Sequence, residues 1–66
     1  MSEKINPDRL YRRPKVEEFT GFGRSSIYRG IAAGWFPAPV KTGPRAVAWR
    51  GADLIEWMNS REQTAA

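Results

Sequence analysis

The chain has 66 residues, contains neither Cys nor His, and carries a net charge of +4. That length fits a single small domain, which buries only roughly 60% of the surface its unfolded chain exposes. Disulfides, thiolate or imidazole catalysis and Cys/His zinc sites are excluded, so an enzyme is not expected. No apolar run approaches the ~20 residues of a membrane span and no leader resembles a signal peptide, which makes a cytoplasmic protein the expectation.

Residues 1–8 are polar, with Asn6-Pro7 and only Ile5 as an apolar anchor, and read as a flexible leader. Arg9-Leu10-Tyr11-Arg12 alternates in character and suits a brief strand or an extended entry. Pro14 is placed for the first turn of a helix, where its missing N–H costs nothing, and the helix runs to about Thr20. Val16, Phe19 and Thr20 form its inner face, and Glu17 and Glu18 point outward near its positive end. Gly21 ends it, because glycine accepts the left-handed conformation that closes a helix.

Gly23 then opens a second helix from Arg24 to about Ala33, with Phe22 and Ile27 at hydrophobic-staple spacing and Gly34 as the stop. Ile27 and Ile31 make its apolar face. A short helix, a glycine turn and another short helix form the helix-turn-helix pattern. Pro37 and Pro39 forbid helix across Trp35–Pro39, which runs extended with Phe36 as its anchor. Val40-Lys41-Thr42 and Ala46-Val47-Ala48-Trp49 read as two strands joined by Gly43-Pro44-Arg45, a hairpin with cations near its tip. From Gly51 to about Glu62 a third helix buries Leu54, Ile55, Trp57 and Met58 and exposes Asp53, Glu56 and Ser60. Residues 63–66 fray. The expected fold is mainly α with a small β-hairpin: a winged helix-turn-helix of three helices and a two-stranded wing, spanning residues 9–62.

The charge is unevenly spread. Between Arg9 and Arg50 stand nine basic residues against Glu17 and Glu18, whereas the two ends are slightly acidic. Such a field attracts polyanions. On the second helix, at 100° per residue, Ser25 and Arg29 lie opposite Ile27 and Ile31, with Ser26 and Tyr28 on the flanks and Arg24 at the start. That side holds no carboxylate. It offers cations, hydroxyls and a phenol, the mixture that binds phosphates and base edges together. Lys41 and Arg45 supply a second cluster on the hairpin, and Arg12 and Arg13, ahead of the first helix, a third.

Three runs carry a resemblance: Gly21-Phe22-Gly23-Arg24-Ser25-Ser26-Ile27-Tyr28-Arg29, then Gly34-Trp35-Phe36-Pro37-Ala38-Pro39-Val40-Lys41, then Gly43-Pro44-Arg45-Ala46-Val47-Ala48-Trp49-Arg50. In order and spacing the chain resembles the AlpA family of phage and prophage regulators over residues 9–62. The resemblance implies a MerR-like, excisionase-related winged helix-turn-helix, a DNA-binding transcriptional regulator of a prophage or mobile element, and a nucleoid-associated bacterial location. It assigns Arg24, Ser25, Ser26, Tyr28 and Arg29 to the recognition helix and Lys41 and Arg45 to the wing. The chain departs from the family at Gly23, where Ser is common, and at Gly30, where a large aliphatic residue is preferred. A glycine inside the helix forfeits packing there, so the helix is expected to be soft near its middle.

Double-stranded DNA is the expected partner, with further copies of the chain on the same DNA, and integrase or RNA polymerase as candidate protein partners. No cofactor, metal or membrane is expected. Two other readings stay open: an architectural excision factor that bends DNA at attachment sites, and an adaptor that uses Trp35 and the third helix to hold a protein. Asp53 and Glu56, three residues apart, are read as a solvated acidic face rather than a cation site.

Overall fold

Two glycines set the limits of the first two helices in the computed structural model, which describes residues 4–61. Gly21 (φ 77°) and Gly34 (φ 88°) both adopt the left-handed conformation, and each turns its N–H back onto the helix it ends. Helix α1 covers Arg13–Thr20 and α2 covers Arg24–Ala33. Strand β1 (Leu10–Tyr11) precedes them, and β2 (Val40–Gly43), β3 (Ala46–Arg50) and α3 (Gly51–Ser60) follow. None of these helices is long and apolar enough to cross a membrane.

The sheet is antiparallel and three-stranded, in the order β1-β3-β2. The expected two-stranded hairpin is present as β2–β3, and β1 extends it to a third strand. Leu10 pairs with Arg50 and Tyr11 with Trp49, so the brief entry segment is a true edge strand. The hairpin turn also differs: Gly43 pairs with Ala46 and belongs to β2, which leaves Pro44 and Arg45 as the turn. An irregularity between Lys41 and Gly43 absorbs the change of register.

The three helices and β3 each send a large apolar side chain inward. Val16 from α1, Ile27 from α2, Trp49 from β3 and Leu54 from α3 are fully buried, and Tyr11 and Phe36 complete the core. Around them pack Ile5, Phe19, Phe22, Ile31, Val47 and Trp57, all half-buried. In so thin a core every large-to-small truncation costs about 2–5 kcal/mol, a large share of a small domain's stability. Thr20 is half-buried, and its hydroxyl donates to the Val16 carbonyl (2.8 Å) and accepts the Phe22 N–H (3.2 Å). On α3, Leu54 alone of the four expected inner side chains is buried; Ile55, Trp57 and Met58 are half-buried, as is Asp53.

The segment read as a flexible leader is anchored at Ile5 and Asn6. Ile5 packs on the core, the Asn6 N–H donates to the Tyr11 hydroxyl at 2.8 Å, and the Asn6 carbonyl accepts the Arg9 N–H at 3.2 Å. Residues 1–3, the expected helical end at Glu62 and the frayed 63–66 lie outside the described residues.

Candidate nucleic-acid interface

Helix α2 divides sharply into an inner and an outer side. Ile27 and Gly30 are buried, whereas Arg24, Ser25, Tyr28 and Arg29 are exposed and Ser26 is half-buried. Its ten residues include no Asp or Glu, so nothing on the helix itself offsets its cations. The Arg24 guanidinium sits 5.9 Å from the centre of the Tyr28 ring, which joins two of the singled-out residues into one patch. Ala32 is exposed on the same side, one turn beyond Tyr28 and Arg29. Sequence reasoning passed over it because a small apolar residue carries no charge or hydrogen-bonding signal.

The helix begins at Gly23, whose backbone is extended and which has no side chain to cap the first turn. The earliest N–H groups of a helix have no partner within it, so they stay available at this end. Space is not the reason for glycine here, since a β-carbon on Gly23 would meet nothing within 4 Å.

The hairpin carries the second cluster. Lys41 and Arg45 are exposed, Lys41 in β2 and Arg45 in the turn. Lys41 pairs with Val47, so it projects from the face of the sheet that also bears Val47 and Trp49, the face turned to the core. Phe36 is the packing link between α2 and this hairpin. A β-carbon on Gly30 would lie 2.8 Å from the β-carbon of Phe36, and the Phe36 ring meets that of Trp49 at 6.5 Å.

The third cluster is split. Arg12 is exposed at the N-cap of α1, but Arg13 is held against its own helix by Glu17, Nε to Oε2 at 3.0 Å. Arg13 is therefore a less accessible cation than its neighbour. Arg50, opposite Leu10 on β3, is exposed as well and was not singled out from the sequence; its position in the strand pairing is what distinguishes it.

Gly30 overturns the expectation of lost packing in the middle of α2. A β-carbon there would also stand 2.9 Å from Cη2 and from Cζ3 of Trp35, so the indole takes the space that a side chain on residue 30 would fill. Among the described residues no group of three or more acidic side chains is arranged to hold a metal ion.

The family described as "Prophage CP4-57 regulatory protein (AlpA)" matches residues 9–62, a span that takes in the sheet, α1, α2 and all of α3. A protein of Enterobacteria phage P4, "Uncharacterized protein ORF88", is 39% identical over 57 residues, covering 86% of this chain. The chain spans 65% of that relative's length. No solved structure matches. On the strength of a match over nearly its whole length, the chain belongs to the AlpA family of prophage regulatory proteins.

Proposed function

We propose that the chain is a sequence-preferring binder of double-stranded DNA that regulates a prophage or mobile element. Its fold is read as a MerR-like winged helix-turn-helix, in which α2 enters the major groove and the β2–β3 hairpin reaches the adjoining backbone or minor groove. One observation carries this reading: the outer side of α2 combines Arg24, Ser25, Tyr28 and Arg29, all exposed, without a carboxylate, on a helix whose inner side is locked into the core. A major groove admits one α-helix, and arginine and hydroxyl side chains read base edges there. Exposed Ala32 suits apolar contact with a thymine methyl.

The supporting roles divide by position. Arg29 and Ser25, at the centre of the outer side, face the base edges. Arg24 and Ser26 lie at the uncapped start, where N–H groups and cations together suit a phosphate. Lys41 and Arg45 neutralise phosphates from the hairpin, and Arg12 does so from the start of α1. Arg13, paired with Glu17, contributes less. A single copy covers few base pairs, so specific sites are contacted by two or more copies on repeated half-sites.

Selection of bound sequences from a random duplex library, repeated at two salt concentrations, tests the proposal. A recovered consensus, with affinity falling steeply as salt rises, is the expected result. Enrichment of nothing at either salt concentration would contradict it.

A further inference from the structure

An exposed tryptophan on a small regulator invites a reading as a docking point for a partner, and Trp35 is 40% exposed. Its buried edge says otherwise. The carbons Cη2 and Cζ3 fill a notch on α2 that exists only because residue 30 is glycine; a β-carbon there would stand 2.9 Å from each. The backbone repeats the contact, since the Gly30 carbonyl accepts the N–H groups of Gly34 (2.9 Å), Trp35 (3.0 Å) and Phe36 (3.2 Å). The chain thus folds tightly around one carbonyl at the end of α2, and the indole closes over the same residue.

Three further contacts connect this corner to the rest of the molecule. Phe22, just ahead of α2, meets the Trp35 ring edge-to-face at 5.8 Å. From α3, the Trp57 indole N–H donates to the Trp35 carbonyl at 2.7 Å. The Arg61 guanidinium then lies over both indoles, 4.9 Å from the Trp57 ring and 5.7 Å from that of Trp35. Trp35 consequently touches the segment before α2, the last turns of α2 and the end of α3.

We propose that Trp35 is a positioning residue for α2, a brace seated in the Gly30 notch and held by Trp57 of α3 and by Arg61 just beyond it. The brace fixes where α2 lies relative to α3 and, through Phe36, whose ring is 6.3 Å from that of Trp35 and 6.5 Å from that of Trp49, relative to the hairpin, and so where Arg29, next to the notch, points. This role in recognition rests on the DNA-binding reading above; the brace itself does not. It also accounts for a glycine inside the helix at a place where helix propensity alone argues against one.

The test combines nuclear magnetic resonance of the free chain with duplex binding. In the wild-type chain the Gly30 α-protons should show a clear ring-current shift, and Trp35→Ala should abolish it and speed amide exchange across residues 27–33. On DNA, Trp35→Ala should lower the ratio of specific to non-specific affinity by about tenfold, the equivalent of one good base contact. Non-specific affinity and its salt dependence should change by less than about twofold, because the hairpin cations remain. Trp57→Phe keeps a six-membered ring but removes the donor to the Trp35 carbonyl together with part of the surface under Arg61; it should move the same readouts in the same direction by less, and it decides the matter if Trp35→Ala does not fold.

Random-coil shifts at Gly30 in the wild-type chain, or unchanged exchange in α2 of Trp57→Phe, would overturn the brace. Loss of specific and non-specific affinity in equal measure in a folded variant would overturn its positioning role. Absence of duplex binding by the wild-type chain would instead strike the DNA-binding reading, and the shift and exchange measurements would still decide whether the brace exists.

Discussion

Trp49 donates its indole N–H to the Pro37 carbonyl at 2.8 Å, and this bond ties the hairpin to the segment that leaves α2. The indole is fully buried, so the bond matters at both ends: it satisfies a donor in the core and fixes the proline-rich crossing over it. Trp49→Phe would remove the donor, leave the carbonyl without this partner and open a void. A loss of about 2 kcal/mol or more in urea denaturation is expected, and a variant as stable as the wild type would contradict this role.

Two residues further along the chain, Gly51 begins α3 against Asn6. Its N–H donates to the Arg9 carbonyl at 2.8 Å, and a β-carbon on it would fall on the Asn6 carbonyl. Helix propensity favours alanine there by about 1 kcal/mol, while overpacking costs about 1–3 kcal/mol. Gly51→Ala is therefore expected to be destabilising and to release the Ile5–Asn6 segment, seen as faster exchange of the Asn6 amide. An increase in stability would show that this segment does not pack as described.

Gly23 presents the reverse case. Its backbone is extended, no side chain caps α2, and the space around a β-carbon is open. Gly23→Ser should raise thermal stability slightly, by a few tenths of a kcal/mol, through a hydroxyl that accepts an early N–H of the helix. A fall in stability would mean that the start of α2 differs from the geometry described.

These residues also explain what the sequence reveals and what it hides. The limits of α1 and α2 and the existence of the hairpin were legible because glycine and proline punctuate the chain and the apolar spacing agrees with them, although Gly43 belongs to a strand and not to the turn. The third strand was legible only as one of two options, since an alternation over so few residues suits a strand or an extended entry equally; only the partner strand, far along the chain, makes Leu10–Tyr11 a strand. Ile5 looked like an isolated apolar residue because its surface is covered by distant elements. The packing value of Gly30 was hidden for the same reason. Propensity registers the missing side chain, and only the fold shows the indole that replaces it. On the outer side of α2 the helical period was enough to identify the exposed set, whereas the Arg13–Glu17 pairing depended on which rotamers the packed helix selects.

The cations should separate by role when replaced singly. Arg29→Ala is expected to reduce discrimination among sequences by about 1–3 kcal/mol, while Lys41→Ala and Arg45→Ala should weaken all duplexes alike and flatten the salt slope by about one unit each. Quantitative binding of one specific and one scrambled duplex across a salt series checks this. With about four to six phosphates neutralised, the wild-type slope of log K against log salt should be roughly −4 to −5. Arg29→Ala with intact site preference would remove α2 as the reading helix.

The proposed account requires residues 24–29 of α2 and residues 41–45 of the hairpin to engage one duplex at the same time. Titration of the isotopically labelled chain with a short duplex from the selected consensus, followed by amide and arginine side-chain chemical shifts, measures this directly. The account predicts that both groups shift together along a single binding curve, with the outer side of α3 unmoved. Shifts confined to one of the two groups, or shifts in neither, would contradict it.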